Sequence, residues 1–89
     1  FFPPANNNPR GKYVLITGCD TGFGYNLAIE LDRCGFNVLA GVYQQSILAE
    51  HLSERATVFR LDVTQQQDID AAFDLVKSRT PSLYALVNN

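Results

Sequence analysis

Three glycines in seven residues, Gly18-Cys19-Asp20-Thr21-Gly22-Phe23-Gly24, constrain this chain more than any other feature, because of what flanks them. Before them, Tyr13-Val14-Leu15-Ile16-Thr17 is a short apolar, β-branched run of the kind that forms a strand buried on both faces. After them, Phe23 to Arg33 sets Phe23, Leu27, Ala28 and Leu31 on one helical face and Asn26, Glu30 and Arg33 on the other. Gly35 is placed to end that helix. Each glycine then has a physical task. Gly18 turns the chain sharply off the strand, Gly22 lets backbone N–H groups approach a ligand with no Cβ in the way, and Gly24 lets the helix lie close to the strand. A pyrophosphate would rest on the positive end of that helix.

The spacing G-x-x-x-G-x-G separates this turn from its relatives. The common dinucleotide pattern G-x-G-x-x-G has its first two glycines two apart, and a P-loop ends in Gly-Lys-Ser/Thr, which is absent here. A loop for phosphoryl transfer is therefore excluded. The competing reading is a tight turn with no ligand.

Asn37 to Tyr43 reads as a second strand, and Ser46 offers an N-cap to a short helix carrying Ile47, Leu48 and Leu52. Thr57 to Asp62 is a third strand. Thr64-Gln65-Gln66-Gln67 fits a capping box, followed by a helix whose Ile69, Ala72, Phe73 and Val76 form one buried face. Thr80-Pro81 breaks it, and Leu83 to Val87 is a fourth strand leading into Asn88 and Asn89. The order β-α-β-α-β-α-β predicts an α/β fold, a Rossmann-type doubly wound parallel sheet with right-handed crossovers. It is the N-terminal, four-strand part of such a domain, covering residues 11–89. The last strand has no following crossover, so the sheet reads as incomplete. Residues 1–10, with three prolines and three consecutive asparagines, read as a linker or lead-in.

These motifs, in order, resemble the short-chain dehydrogenases/reductases: Thr17-Gly-x-x-x-Gly-x-Gly24, then Leu61-Asp62-Val63-Thr64, then Leu86-Val87-Asn88-Asn89. The likeness runs from Gly11 to the end. The wording around the glycines, with LDVT, is similar to the retinol and hydroxysteroid dehydrogenases, with hydroxybutyrate dehydrogenases as neighbours. The resemblance implies that Gly18, Thr21, Gly22, Phe23 and Gly24 surround the phosphates and adjoining ribose of NAD or NADP. It implies that Asp62 accepts a hydrogen bond from the adenine amino group with Val63 packed beside it. It further implies that Asn88 and Asn89 begin an Asn-Asn-Ala-Gly stretch lining the adenosine side.

It implies for the whole protein hydride transfer between the nicotinamide dinucleotide and a small lipophilic alcohol or ketone. Also implied are a Ser, Tyr and Lys downstream for proton transfer, a homo-oligomer, and attachment to the endoplasmic reticulum membrane. No catalytic residue falls in this chain, since none of Tyr13, Tyr25, Tyr43 and Tyr84 is followed by the Tyr-x-x-x-Lys spacing. The competing readings of the whole are a related reductase or epimerase, a catalytically inactive nucleotide-binding or scaffold protein, or a non-functional truncated product.

One expected residue is missing. Rossmann units that take NAD place an acid about 20 residues beyond the glycines, at the end of the second strand, to hold the ribose. Here Val42-Tyr43-Gln44-Gln45-Ser46 has neither an acid nor an Arg or Lys for a 2′-phosphate. Tyr43 or Gln44 is left to bond the ribose, and the balance favours NAD. Asp20 would be repelled by a pyrophosphate and is expected to point away and brace the turn. His51 is expected on a solvated helix face.

Charge and composition narrow the partners. Seven basic against nine acidic residues leave no cationic stripe for nucleic acid. Cys19, Cys34 and His51 do not form the clustered spacing of a metal site, and reduced thiols are expected. No apolar run approaches the ~20 residues of a membrane-spanning helix.

Overall fold

A computed structural model describes residues 8–44 and 47–89. Strand β1 (Tyr13–Ile16) leads through the glycine turn into helix α1 (Gly22–Cys34), and β2 (Asn37–Val42) follows. A 3₁₀-helix over Ile47–His51 precedes β3 (Thr57–Arg60), helix α2 (Gln66–Arg79) and β4 (Ala85–Val87). The four strands form one parallel sheet in the order β3-β2-β1-β4. Leu15 of β1 stands between Leu39 of β2 and Leu86 of β4. The chain winds outward from β1 to β3 and then crosses back to the other side of β1. The sheet therefore reverses its winding between β1 and β4, and ligands of such sheets bind beyond the strand ends at that point.

The strands alternate their side chains between two faces. Val14, Ile16, Val38, Ala40 and Val42 are buried together with Leu27, Ala28 and Leu31 of α1, sealed by Phe36 and Leu48. Burying each large aliphatic side chain there contributes about 1.5–3 kcal/mol. Helix α1 ends as its sequence expects: Gly35 takes φ 107°, its N–H donates to the Asp32 carbonyl, and the Phe36 N–H donates to that of Leu31.

The opposite face is less complete. Of the expected buried stripe on α2, Ala72 is buried, Ile69 and Val76 are half-buried, and Phe73 is 61% exposed. Phe73 borders an open apolar groove of about 290 Å³ together with Leu15, Leu61, Leu83 and Leu86. The helical period places Phe73 on the right side of α2, but nothing among the described residues covers the groove it faces.

The expected capping box does not form. Helix α2 begins at Gln66 with Gln65 as its N-cap and no side-chain capping bond. The Thr64 hydroxyl and N–H instead both donate to Oδ1 of Asp62, at 2.6 and 2.9 Å. Asp62, two residues earlier, competes for Thr64 and wins because the bond it offers is local and charge-assisted. The expected Ser46 cap lies outside the described residues, as do residues 1–7.

Candidate functional site

Because all four strands are parallel, the segments after them emerge on one edge of the sheet. The glycine turn follows β1, Tyr43 follows β2, Asp62 and Val63 follow β3, and Asn88 and Asn89 follow β4. Every residue expected at the site is thus brought to that edge, although their distances from the glycines in sequence differ widely.

The turn and the end of β4 are stitched together across the point where the sheet reverses. The Thr17 hydroxyl donates to Asn88 Oδ1 and accepts the Asn89 N–H, both at 3.0 Å, and is 8% exposed. Asn89 Nδ2 donates to the Gly18 carbonyl at 2.9 Å, and the Thr17 N–H reaches the Val87 carbonyl at 3.0 Å. These bonds fix the path of the glycine turn before any ligand arrives. Asn89 therefore ties the loop to the end of β4.

The three glycines differ in what constrains them. Gly18 has φ 65° and lies under Asn89, so that a Cβ there would meet Asn89 O at 3.1 Å. Gly22 has φ 67° with nothing within 4 Å of a Cβ, which leaves its face open. Gly24 is buried, and a Cβ on it would stand 2.7 Å from both Gly18 O and Asn89 Nδ2. Thr21 caps α1 in an extended conformation without a side-chain capping bond, and it is exposed, as is Phe23. The open N–H groups of the first turn of α1, with no acidic residue in that turn, suit an anion.

Asp62 stands at the mouth of the same edge. Its carboxyl is held below the usual carboxylate range, chiefly by the Thr64 hydroxyl and N–H, with Arg60 adding to this. It is therefore an anionic acceptor at neutral pH. Val63 and Tyr43 are exposed beside it in the fold order, Val63 on the β3 side and Tyr43 on the β2 side.

Asp20 does brace, as its place in the turn suggests, but its target was not legible. Its carboxylate accepts the Tyr43 N–H at 2.9 and 3.0 Å through its two oxygens and the Gln44 N–H at 3.1 Å. Two further positions carry no local signal of their part here: Gly41, where a Cβ would stand 2.9 Å from Leu61 Cβ, and Thr17, whose hydroxyl joins two strand ends. His51 is exposed and meets the Tyr25 ring edge-on at 6.2 Å between centroids. Among the described residues no three His, Cys, Asp or Glu side chains come together to hold a metal.

Both cysteines are free. Cys19 is buried within the turn, and burial pushes its thiol up to about 12, the Asp20 charge adding to this and a Gly41 backbone hydrogen bond opposing it. Cys34 is exposed on the last turn of α1. Peptide mapping after treatment of the native protein with a maleimide is expected to find Cys34 modified and Cys19 intact until the fold is opened. The linkage runs in one direction. The folded state keeps the Cys19 proton that the unfolded chain releases from about pH 9 upward, so stability falls as pH rises from there towards 12. A Cys19→Ala variant should flatten that alkaline slope in urea titrations.

The sequence pattern of short chain dehydrogenases matches residues 12–89. Estradiol 17-beta-dehydrogenase 2 of Mus musculus is 44% identical over 85 residues, covering 88% of this chain and 22% of that protein. Retinol dehydrogenase 7 of Mus musculus is 46% identical over 85 residues, covering 90% and 27%. Among solved structures, a 3-ketoacyl-(acyl-carrier-protein) reductase from Brucella melitensis complexed with NADH superposes with a TM-score of 0.78 at 26% identity, covering 89% of this chain and 34% of that one. A hydroxysteroid dehydrogenase from Escherichia coli gives 0.77 at 28%, covering 91% and 37%. The chain thus spans about a quarter of the length of these curated relatives. With the parallel four-strand sheet, the braced glycine turn and a family pattern that takes in nearly all of its residues, this chain belongs to the short chain dehydrogenase family.

Proposed function

We propose that this chain is the cofactor-binding front part of an NAD(P)-dependent oxidoreductase acting on a lipophilic alcohol or ketone of the retinoid or steroid class. The observation that carries the reading is the glycine turn held open at Gly22 and braced by Thr17 and Asn89 where the sheet reverses its winding. Gly18, Thr21, Gly22, Phe23 and Gly24 would hold the pyrophosphate and adjoining ribose, as helix N-termini and Cβ-free backbone suit. Asp62 would take the adenine amino group, Val63 would pack beside the base, and Tyr43 would border the ribose. Asn89 supports the turn from below.

The nicotinamide, when bound, supplies the hydride acceptor or donor. The proton that accompanies hydride transfer must be handled elsewhere in the protein, since no tyrosine here has a lysine four residues on. The substrate class rests on the 44–46% identity to estradiol and retinol dehydrogenases. The same likeness is the ground for placing the whole protein at the endoplasmic reticulum membrane. No helix among the described residues is long and apolar enough to cross a membrane.

The test is a fluorescence titration of the intact protein with NADH, followed by NADH formation from NAD and a panel of retinoid and steroid alcohols. Binding is expected, with Asp62→Ala weakening it about tenfold as a charge-assisted bond is lost. Failure of both NADH and NADPH to bind would remove the proposal, and binding without turnover of any alcohol would confine it to a nucleotide-binding role.

A further inference from the structure

Resting on that reading, we infer that Asp20 is the residue that selects NAD over NADP. Dinucleotide-binding sheets of this kind read the 2′ position of the adenine ribose just after the second strand, about 20 residues past the glycines. Gln44 is that position here, and it carries no charge. The structure supplies the charge from elsewhere. Asp20, in the middle of the glycine turn, reaches across to the end of β2 and accepts the backbone N–H groups of Tyr43 and Gln44 at 2.9 to 3.1 Å.

Two consequences follow from this one contact. First, an acid does stand at the end of β2, contributed by the first loop instead of the second strand. A carboxylate offers about four acceptor sites. Three contacts from two N–H donors leave capacity for ribose hydroxyls, which can donate to it. Second, the Tyr43 and Gln44 N–H groups are the backbone donors a 2′-phosphate would need there, and both are already turned to Asp20. A 2′-phosphate carries nearly two negative charges at neutral pH and would meet a carboxylate of the same sign.

The cation that borders the adjoining cleft does not reverse this. Arg60 lines that cleft with Tyr43 and Gln44, but its Nε is bound to Asp68 Oδ2 at 3.2 Å, so part of its charge is already answered. No other Lys or Arg among the described residues lines the cleft.

The experiment measures dissociation constants of NADH and NADPH by fluorescence titration for the intact protein and for Asp20→Asn, each at low and high salt. Asparagine keeps the shape and one carbonyl acceptor for the amides while removing the charge. The intact protein is expected to bind NADH at least tenfold more tightly than NADPH, and D20N to shrink that ratio roughly tenfold, mainly by tighter NADPH binding. Salt should narrow the ratio in the native protein and narrow it less in D20N, because screening acts on the repulsion that D20N removes and not on loop shape. If D20N does not fold, the salt dependence of the native ratio decides the matter, and a ratio independent of salt overturns the assignment. Native preference for NADPH, or a ratio unmoved by D20N, overturns the role of Asp20 while the dinucleotide reading stands. Failure of both dinucleotides to bind overturns the two together.

Discussion

Gly24→Ala is expected to cost the protein about 3 kcal/mol of stability, whereas Gly22→Ala, two residues away, costs about 1–2 kcal/mol and removes dinucleotide binding. The two glycines sit in one turn for different reasons. A methyl group on Gly24 would lie 2.7 Å from the Gly18 carbonyl oxygen and 3.2 Å from its carbon. Those are backbone atoms in a turn that Asn89 also ties down, so relief requires α1 to move away from β1. Overpacking of this sort costs about 1–3 kcal/mol and occasionally more, a large share of a typical 5–15 kcal/mol. Gly22 meets nothing within 4 Å, and its substitution is opposed only by φ 67°. The empty volume in front of it is where phosphate oxygens would approach the N–H groups, and a methyl group would fill it. Urea denaturation and NADH titration of the two variants in the intact protein separate the cases. An unaltered midpoint for Gly24→Ala would show that the turn is softer than its contacts indicate, and full affinity in Gly22→Ala would show that the phosphates lie elsewhere.

The features of the fold that were legible in sequence are those written in local pattern. Apolar β-branched runs gave the strands to within a few residues at their ends, and the 3.6-residue period with Gly35 gave α1 and its terminus. The strand-turn-helix setting of the glycines also matches the structure, in which the turn joins β1 to α1. The failures came where two local preferences compete or where distant segments meet. Thr64 had a choice between capping α2 and bonding Asp62, and its spacing cannot decide that. Asp20 and Tyr43 lie 23 residues apart on different loops, and only the parallel pairing of β1 with β2 brings them together. Gly41 looks like a permissive strand residue until β2 is seen packed against Leu61. The same holds for Asp32, which helical patterning leaves at the edge of the apolar face of α1.

Asp32→Ala is therefore expected to destabilise the protein by about 2–4 kcal/mol without touching dinucleotide affinity. Asp32 is 5% exposed, close to the C-terminus of α1, where the helix dipole disfavours an anion. What compensates is a set of bonds to the segment before β3. The Ser53 N–H and hydroxyl each donate to its carboxylate at 2.7 Å, and the Arg55 guanidinium lies 3.7 Å away while donating to the Asp32 carbonyl at 2.7 Å. Arg55 is about half exposed, so its ion pair contributes little. The weight falls on the two short Ser53 bonds, which alanine would leave without an acceptor. Asp32→Asn keeps one acceptor oxygen and should lose roughly half as much. Because α1 starts at the glycine turn and runs to the opposite edge of the sheet, this lesion lies a full helix length from the candidate site. Denaturation midpoints should fall for Asp32→Ala while the NADH dissociation constant of the folded protein stays unchanged. A parallel loss of affinity would mean that the segment between β2 and β3 transmits strain to Tyr43 and Gln44, and the site would then be less independent of the core than its hydrogen bonds indicate.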